Sequence, residues 1–374
     1  MIQTRSSIDP ARFPEPLRAL AAKVRDGVRL DEADALLCFS TPHVLHLGLL
    51  ANAVRRELHG DVAYYNVNRH INPTNVCVYT YNCKFCGFAA LKGEPHAWEM
   101  SLEEVWNNAA DAGGNEVTEF HIVGVLHPDL DMSWYEQMLR GLKERFPQAH
   151  LKAFTAIEIG WFARREKLPI RTVLERLVAA GLGSLPGGGA EIFHPEVREI
   201  ICDGKLDADE WIEVHRVAHA MGLRSNCTML YGHVEKPAHK VDHLLRLRAL
   251  QDESHGFNAF IPLAYHPENN YMGLRWHTTG LDDLRHLSTS RLVLDNVPHL
   301  KAYWVMITPK LAQVALSFGA DDLDGTVVRE TIYHMAGAET VQAMPIPELE
   351  RVIREAGFRP VERDTLYRPI SRAA

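Results

Sequence analysis

From Val62 onward the chain alternates between short β-prone runs and segments of helical period, and that alternation limits its fold more than any other feature. Val62–Val67 (VAYYNV) reads as a strand, because β-branched and aromatic residues crowd into it. Further short apolar runs close on Val117–Val123, Leu151–Phe154, Ser184–Leu185, Arg224–Met229, Phe257–Pro262, Lys301–Val305 and Asp321–Leu323. Between them stand amphipathic stretches at Leu102–Ala112, Ser133–Phe146, Ala208–Met221, Lys240–Glu253 and Asp282–Leu294. Ser101 before Glu103 and Glu104, and Ser133 before Glu136, supply helix N-caps. Strand, helix, strand in succession means parallel pairing with crossover helices. Eight strand candidates predict an α/β fold, a (β/α)8 barrel of the TIM type, with an open doubly wound sheet as runner-up. Residues 1–60 read as an N-terminal helical segment, with apolar residues of Leu45–Leu58 at helical spacing. Residues 61–340 read as the barrel, and 341–374 as a C-terminal helix and tail packing on it.

Composition narrows the partners. The 374 residues are 46% hydrophobic, enough for a large core. Acidic residues outnumber basic ones, 48 to 40, for a formal net charge of -8. Such a chain has no global pull on a phosphate backbone, which argues against nucleic acid. No apolar run of about 18 residues predicts a membrane span. Met1–Pro16 lacks the apolar stretch of a signal peptide, so a cytoplasmic location is expected. Six cysteines in a chain of this length do not make a disulfide framework. Cys38, Cys202 and Cys227 are scattered and read as small buried hydrophobes.

The other three, Cys77, Cys83 and Cys86, fall within ten residues of a polar, loop-like stretch after the first predicted barrel strand. Three thiolates on one loop can bind three irons of a [4Fe–4S] cubane, leaving the fourth iron open. Structural zinc is the competing metal. It wants four closed ligands, and no second CxxC or HxxxH pair stands nearby, although His70 and His96 are close enough in sequence to supply a fourth.

Polar clusters sit where predicted strands end, the place where barrel chemistry is found. They are Asn68-Arg69-His70, Gly187-Gly188-Gly189-Ala190-Glu191, Tyr231-Gly232-His233 and His266-Pro267-Glu268-Asn269. The glycine run alone is a flexible turn; it is not GxGxxG and opens no helix, which weakens a Rossmann nucleotide site. Most of the 20 histidines must be ordinary surface or core residues. Arg69 has a plain alternative role, bracing the barrel against a carboxylate. Asp324-Gly325-Thr326 is either a turn or a polar wall of the site, and Trp304 most simply fills core.

Several phrases carry a family resemblance: Asn66–Asn75, His121–Gly124 with His127–Leu130, Lys152–Ala156, Ser184–Phe193, Met229–His233, Phe260–Ala264 with His266–Asn269, and Arg363–Tyr367. In this order and spacing, over Tyr64–Tyr367, the chain resembles the radical S-adenosylmethionine (SAM) enzymes of the futalosine route to menaquinone, the aminofutalosine synthases in particular. Two departures stand out. The family's CxxxCxxC is CxxxxxCxxC here, which lengthens the loop by several ångströms of contour. Where the family has Gly-Gly after the next strand, this chain has Gly124-Val125.

The resemblance implies a transferase that consumes SAM. The 5′-deoxyadenosyl radical would add to the enol-ether double bond of 3-[(1-carboxyvinyl)oxy]benzoate. Rearrangement and loss of bicarbonate would then give 6-amino-6-deoxyfutalosine. Cys77, Cys83 and Cys86 would hold the cluster. Phe88 matches the position lying by adenine, and the Gly124 backbone the receiver of the methionine amino group. Glu191 would bond the ribose hydroxyls, with glycines such as Gly188 letting the backbone come close. Arg69, His70, Arg291 and the Tyr231-Gly232-His233 and His266 loops are the candidates for the two substrate carboxylates. A flavodoxin or ferredoxin would be the electron donor. The competing readings are a futalosine-route cyclase, a deazaflavin-forming synthase, and a non-catalytic cluster-binding barrel.

Overall fold

A computed structural model describes residues 4–111 and 116–372. Its strands are β1 Val62–Asn66, β2 Asn68–Ile71, β3 Glu119–Ile122, β4 His150–Ala153, β5 Ser184–Leu185, β6 Arg224–Tyr231, β7 Phe257–Ala264, β8 His299–Leu300, β9 Asp322–Gly325 and β10 Arg359–Glu362. β2 through β8 form one seven-stranded sheet in chain order, every pair parallel. A second sheet has the order β10-β1-β9. Parallel bridges Lys301↔Asp322 and Arg69↔Val328 join the β9 segment to both edges of the large sheet. The result is a curled partial barrel in place of eight equal strands in one ring.

The expected first strand is thus two. Asn66 and Asn68 are poor strand formers, and the chain changes sheets between them. Asn68 instead exchanges hydrogen bonds with the far edge: its backbone N–H donates to Thr326 Oγ1 (3.0 Å), and its Oδ1 accepts from Val327 N (2.7 Å). β9 comes so close to β1 here that a Cβ on Gly325 would lie 2.2 Å from Asn66 O.

Two further expectations need correction. Lys301–Val305 is not a strand: β8 stops at Leu300, and Trp304–Ile307 is a helical turn whose indole donates to Gly325 O at 2.9 Å. Short apolar runs do not separate buried strand from buried helix by period alone. Ser133 is not an N-cap either. Asp131 caps the helix Met132–Arg145 by accepting from Trp134 N, and Ser133 merely donates to Asp131 at 2.8 Å. Ser101 does cap Leu102–Ala110, in a capping box with Glu104. Ala112, placed in that helix from sequence, lies outside the described residues.

Among the described residues three α-helices, Arg18–Arg25, Glu32–Ser40 and Val44–His59, precede the strands. Leu47, Leu50, Ala51 and Val54 of the third share a core cluster with Leu292 of Gly280–Val293. Among the described residues no helix is long and apolar enough to cross a membrane.

Arg291 belongs to this scaffold and not to a ligand site. It is 2% exposed, donates to Gly319 O (2.8 Å) and sits 2.5 Å from Asp321 at the N-terminal ends of β8 and β9. Burial works against the Asp321 charge, yet His59, His299 and Arg291 hold its carboxyl well below the usual range. R291A takes the guanidinium from that buried carboxylate and leaves it His299 and the Leu300 amide. We expect a loss of about 3–5 kcal/mol of unfolding free energy, read by urea titration without ligands.

Candidate active site

Successive residues of a strand point to opposite sides, so one parity of each strand fills the barrel. That parity brings together His70, His121 and Lys152, cross-strand neighbours on β2, β3 and β4. Asn226, Thr228 and Leu230 of β6, Ile261 and Leu263 of β7, and Asp324 of β9 face the same space. They line a cavity of about 260 Å³ that opens at the C-terminal ends of the strands. The glycine run, Glu191, His266 and Glu330 complete its rim, and Cys86 and Gly87 enter it from the cysteine loop.

The wall is charged but balanced. Lys152 Nζ lies 2.5 Å from Glu119, and Lys301 pairs with Asp324. Burial lowers the Lys152 pKa and opposes the Asp324 charge, which Lys301 and Lys152 nonetheless hold below the carboxylate range. His70 stacks on His121 with ring centroids 4.5 Å apart and planes 12° off parallel. Burial pushes both imidazoles below their ordinary pKa, so both are neutral at pH 7. Nε2 of His70 and Nδ1 of His266 are buried without a hydrogen-bond partner among the described residues.

The glycine run is a close-packed turn. A Cβ on Gly187 would lie 2.7 Å from the β6 backbone, and Gly189 has φ +89°. Of the residues singled out from sequence, Gly188, Glu191, His70, His266 and Cys86 line the cavity.

The other candidates lie elsewhere. Arg69, of opposite parity to His70, points to Asn108 (2.8 Å). Tyr231, of opposite parity to Leu230, donates to Asp283 (2.8 Å) and stacks on His286. His233 turns back to Leu230 O (3.1 Å) beside Glu235. Phe88 packs edge-on against Trp98, and Gly124 N donates to Glu158 at 3.1 Å. Burial raises Glu158 to about 7 against the bonds it accepts from Thr155 and Gly124. Sequence reading passed over His121, Lys152, Lys301 and Glu330 as site residues. Counting by twos along β3 and β4 from the His70 register would have found the first two.

In the loop itself, Cys77 and Cys83 are 8% exposed and Cys86 half-buried. Burial raises all three thiols, while backbone amides of Leu126 and Tyr79 favour the Cys77 thiolate and those of Phe88 and Ala89 that of Cys86.

A sequence profile of the Radical SAM superfamily matches residues 71–247, and one for the CofH/MqnC C-terminal region matches 254–373. The chain belongs to the radical SAM superfamily. It is 44% identical to aminodeoxyfutalosine synthase of Thermus thermophilus over 97% of this chain and 96% of that one. Identity to the synthase of Streptomyces coelicolor is 45%, over 94% and 93%. A 5-amino-6-(D-ribitylamino)uracil–L-tyrosine 4-hydroxyphenyl transferase of Methanopyrus kandleri is 38% identical over 94% and 95%. The crystal structure of methylornithine synthase superimposes with a TM-score of 0.72 over 91% of this chain and 96% of that one; at 16% identity it shows the fold alone.

This radical SAM chain takes a [4Fe–4S] cluster and SAM. Its cysteine loop fits such a group, with buried sulfurs, amides directed at them and one side open to the cavity. Among the described residues the three sulfurs do not all lie within 4.8 Å of one another. Zinc with sulfurs at about 2.3 Å would need edges of about 3.8 Å.

The stacked histidines give a pH signature. Their folded pKa values lie below the ordinary 6.5, so the unfolded chain binds protons first as pH falls, and stability drops below that point. Each contributes a slope of up to about 1.4 kcal/mol per pH unit. His121→Phe keeps the stack and removes one proton site. Urea titrations from pH 7 down to about pH 5 are expected to show a shallower decline than in the wild type.

Proposed function

We propose that the protein is an aminodeoxyfutalosine synthase, joining the 5′-deoxyadenosyl group of SAM to 3-[(1-carboxyvinyl)oxy]benzoate, with methionine released and, after uptake of one water, bicarbonate lost. The observation that carries this reading is the single cavity shared by Cys86 and the His70–His121–Lys152 layer. One side suits a sulfonium cofactor and the other an anionic aromatic acid. The identities of 44% and 45% to the two synthases, against 38% to the tyrosine hydroxyphenyl transferase, point the same way.

Cys77, Cys83 and Cys86 hold the cluster, which supplies the electron that splits SAM. The chain's own residues position the rest. Gly188 and Glu191 take the ribose side, where the close-packed turn leaves room and the carboxylate accepts hydroxyls. Glu158 holds Gly124 N at 3.1 Å and so fixes the turn whose carbonyl receives the methionine amino group. His266 has Nε2 3.2 Å from Met306 O, which leaves Nδ1 as an acceptor and suits a hydroxyl better than a carboxylate. The substrate carboxylates go to Lys152, Lys301 and the free Nε2 of His70. Buried walls exclude water from the radical, and the reacting carbons must be held roughly 3–3.5 Å apart. The electron comes from a flavodoxin or ferredoxin in the cytoplasm.

Anaerobic reconstitution tests the assignment. The wild type and C202A are expected to bind about four irons per chain, and C77A, C83A and C86A to lose the cluster. With reductant, SAM and the enolpyruvyl benzoate, mass spectrometry is expected to find the covalent adenosine–substrate product. Free 5′-deoxyadenosine alone would favour a hydrogen-abstracting relative, and an intact cluster with uncleaved SAM a binding barrel.

A further inference from the structure

Lys205 is a buried cation whose position the cavity alone does not explain. Its side chain is 9% exposed and pairs with Glu191, itself 7% exposed. Its Nζ stands 5.3 Å from the ring centroid of Phe85, between Cys83 and Cys86 in the chain. The segment that carries it is stitched to the cysteine loop. Lys205 N donates to Cys202 O (3.2 Å), and Cys202 bridges Cys83. Lys84 N donates to Ile201 O (2.8 Å), and Asn82 Nδ2 to Asp203 O (3.2 Å). The ammonium therefore keeps its place relative to the loop.

Burying an ammonium is costly unless nearby charge compensates. Glu191 supplies that charge, in a buried ion pair with Lys205. Reduction of an iron–sulfur cluster adds one negative charge, and cluster potentials follow net charge and hydrogen bonding around the sulfurs. A fixed cation held against the cysteine loop favours the reduced form, and a carboxylate on that cation cancels part of the effect.

We propose that Lys205 is a positioning residue that sets the reduction potential of the cluster, with Glu191 as its counter-charge. The proposal rests on Cys77, Cys83 and Cys86 being the cluster ligands. It is tested by EPR-monitored redox titration of the reconstituted full chain, with iron and sulfide measured on each sample. K205M is expected to lower the reduction equilibrium constant roughly tenfold, a downward shift of about 59 mV for a one-electron couple. K205R restores the wild-type value. E191Q moves the potential upward, opposite to K205M, which general damage to the loop would not do. Fully loaded variants with the wild-type potential, or K205M and E191Q shifting in the same direction, overturn the role of Lys205 alone. A wild type that binds no iron overturns the cluster assignment with it.

Discussion

One part of the barrel interior is built from paired charges, and in each pair the buried partners let one another keep their charge. Lys152 meets Glu119, Lys301 meets Asp324, and Arg363 meets Asp322 at 2.6 Å, all in the interior of the sheet. An apolar filling would pack solid, as in barrels whose layers are branched aliphatics. A one-sided charge would instead carry a desolvation cost that no partner offsets. Balanced pairs leave a polar wall able to face an anionic ligand without being stranded when none is there.

That requirement explains the C-terminal segment. Arg363 comes from the chain just beyond β10, which pairs with β1 outside the main sheet. Tyr367 covers the guanidinium at 4.3 Å and stacks on His299 at 3.5 Å. The tail thus supplies a cation to the interior and seals it from the N-terminal side. Because β9 bridges to both edges of the large sheet, holding Asp322 and Asp324 in place also holds the curl.

Much of this was legible in the sequence where chemistry is local. The cysteine trio, the glycine run with Glu191, and His70 and His266 at strand ends all stand in the cavity or on the loop beside it. What escaped was parity. Arg69 and Tyr231 were chosen as polar residues at strand ends, yet each is one position from a residue that faces inward, so each points into the helical layer. Arg291 escaped for another reason. An arginine on an amphipathic helix reads the same whether it meets solvent, ligand or a buried aspartate, and only the fold brings Asp321 to it, thirty residues later. The break at Asn66–Asn68 and the helical turn at Trp304 likewise depend on contacts across the barrel, which no local window contains.

The lengthened cysteine loop shows how such contacts absorb a change in the chain. Cys77 is fixed on its N-terminal side by its backbone N–H to Ala90 O (2.9 Å), and Cys83 by its bridge to Cys202. Between them Cys83 N bonds Tyr79 O (2.9 Å) and Thr80 Oγ1 bonds Cys77 O (2.7 Å), so the intervening residues fold into a turn over the sulfurs. Val78 and Tyr81 are turned outward, 38% and 52% exposed, and Tyr81 meets Tyr271 edge-on at 5.3 Å. The two additional residues therefore extend the surface of the loop while its ends stay tied to the barrel. The spacing between Cys77 and Cys83 matters less here than the backbone ties that hold each of them, and for that reason the longer CxxxxxCxxC still brings Cys86 to the cavity.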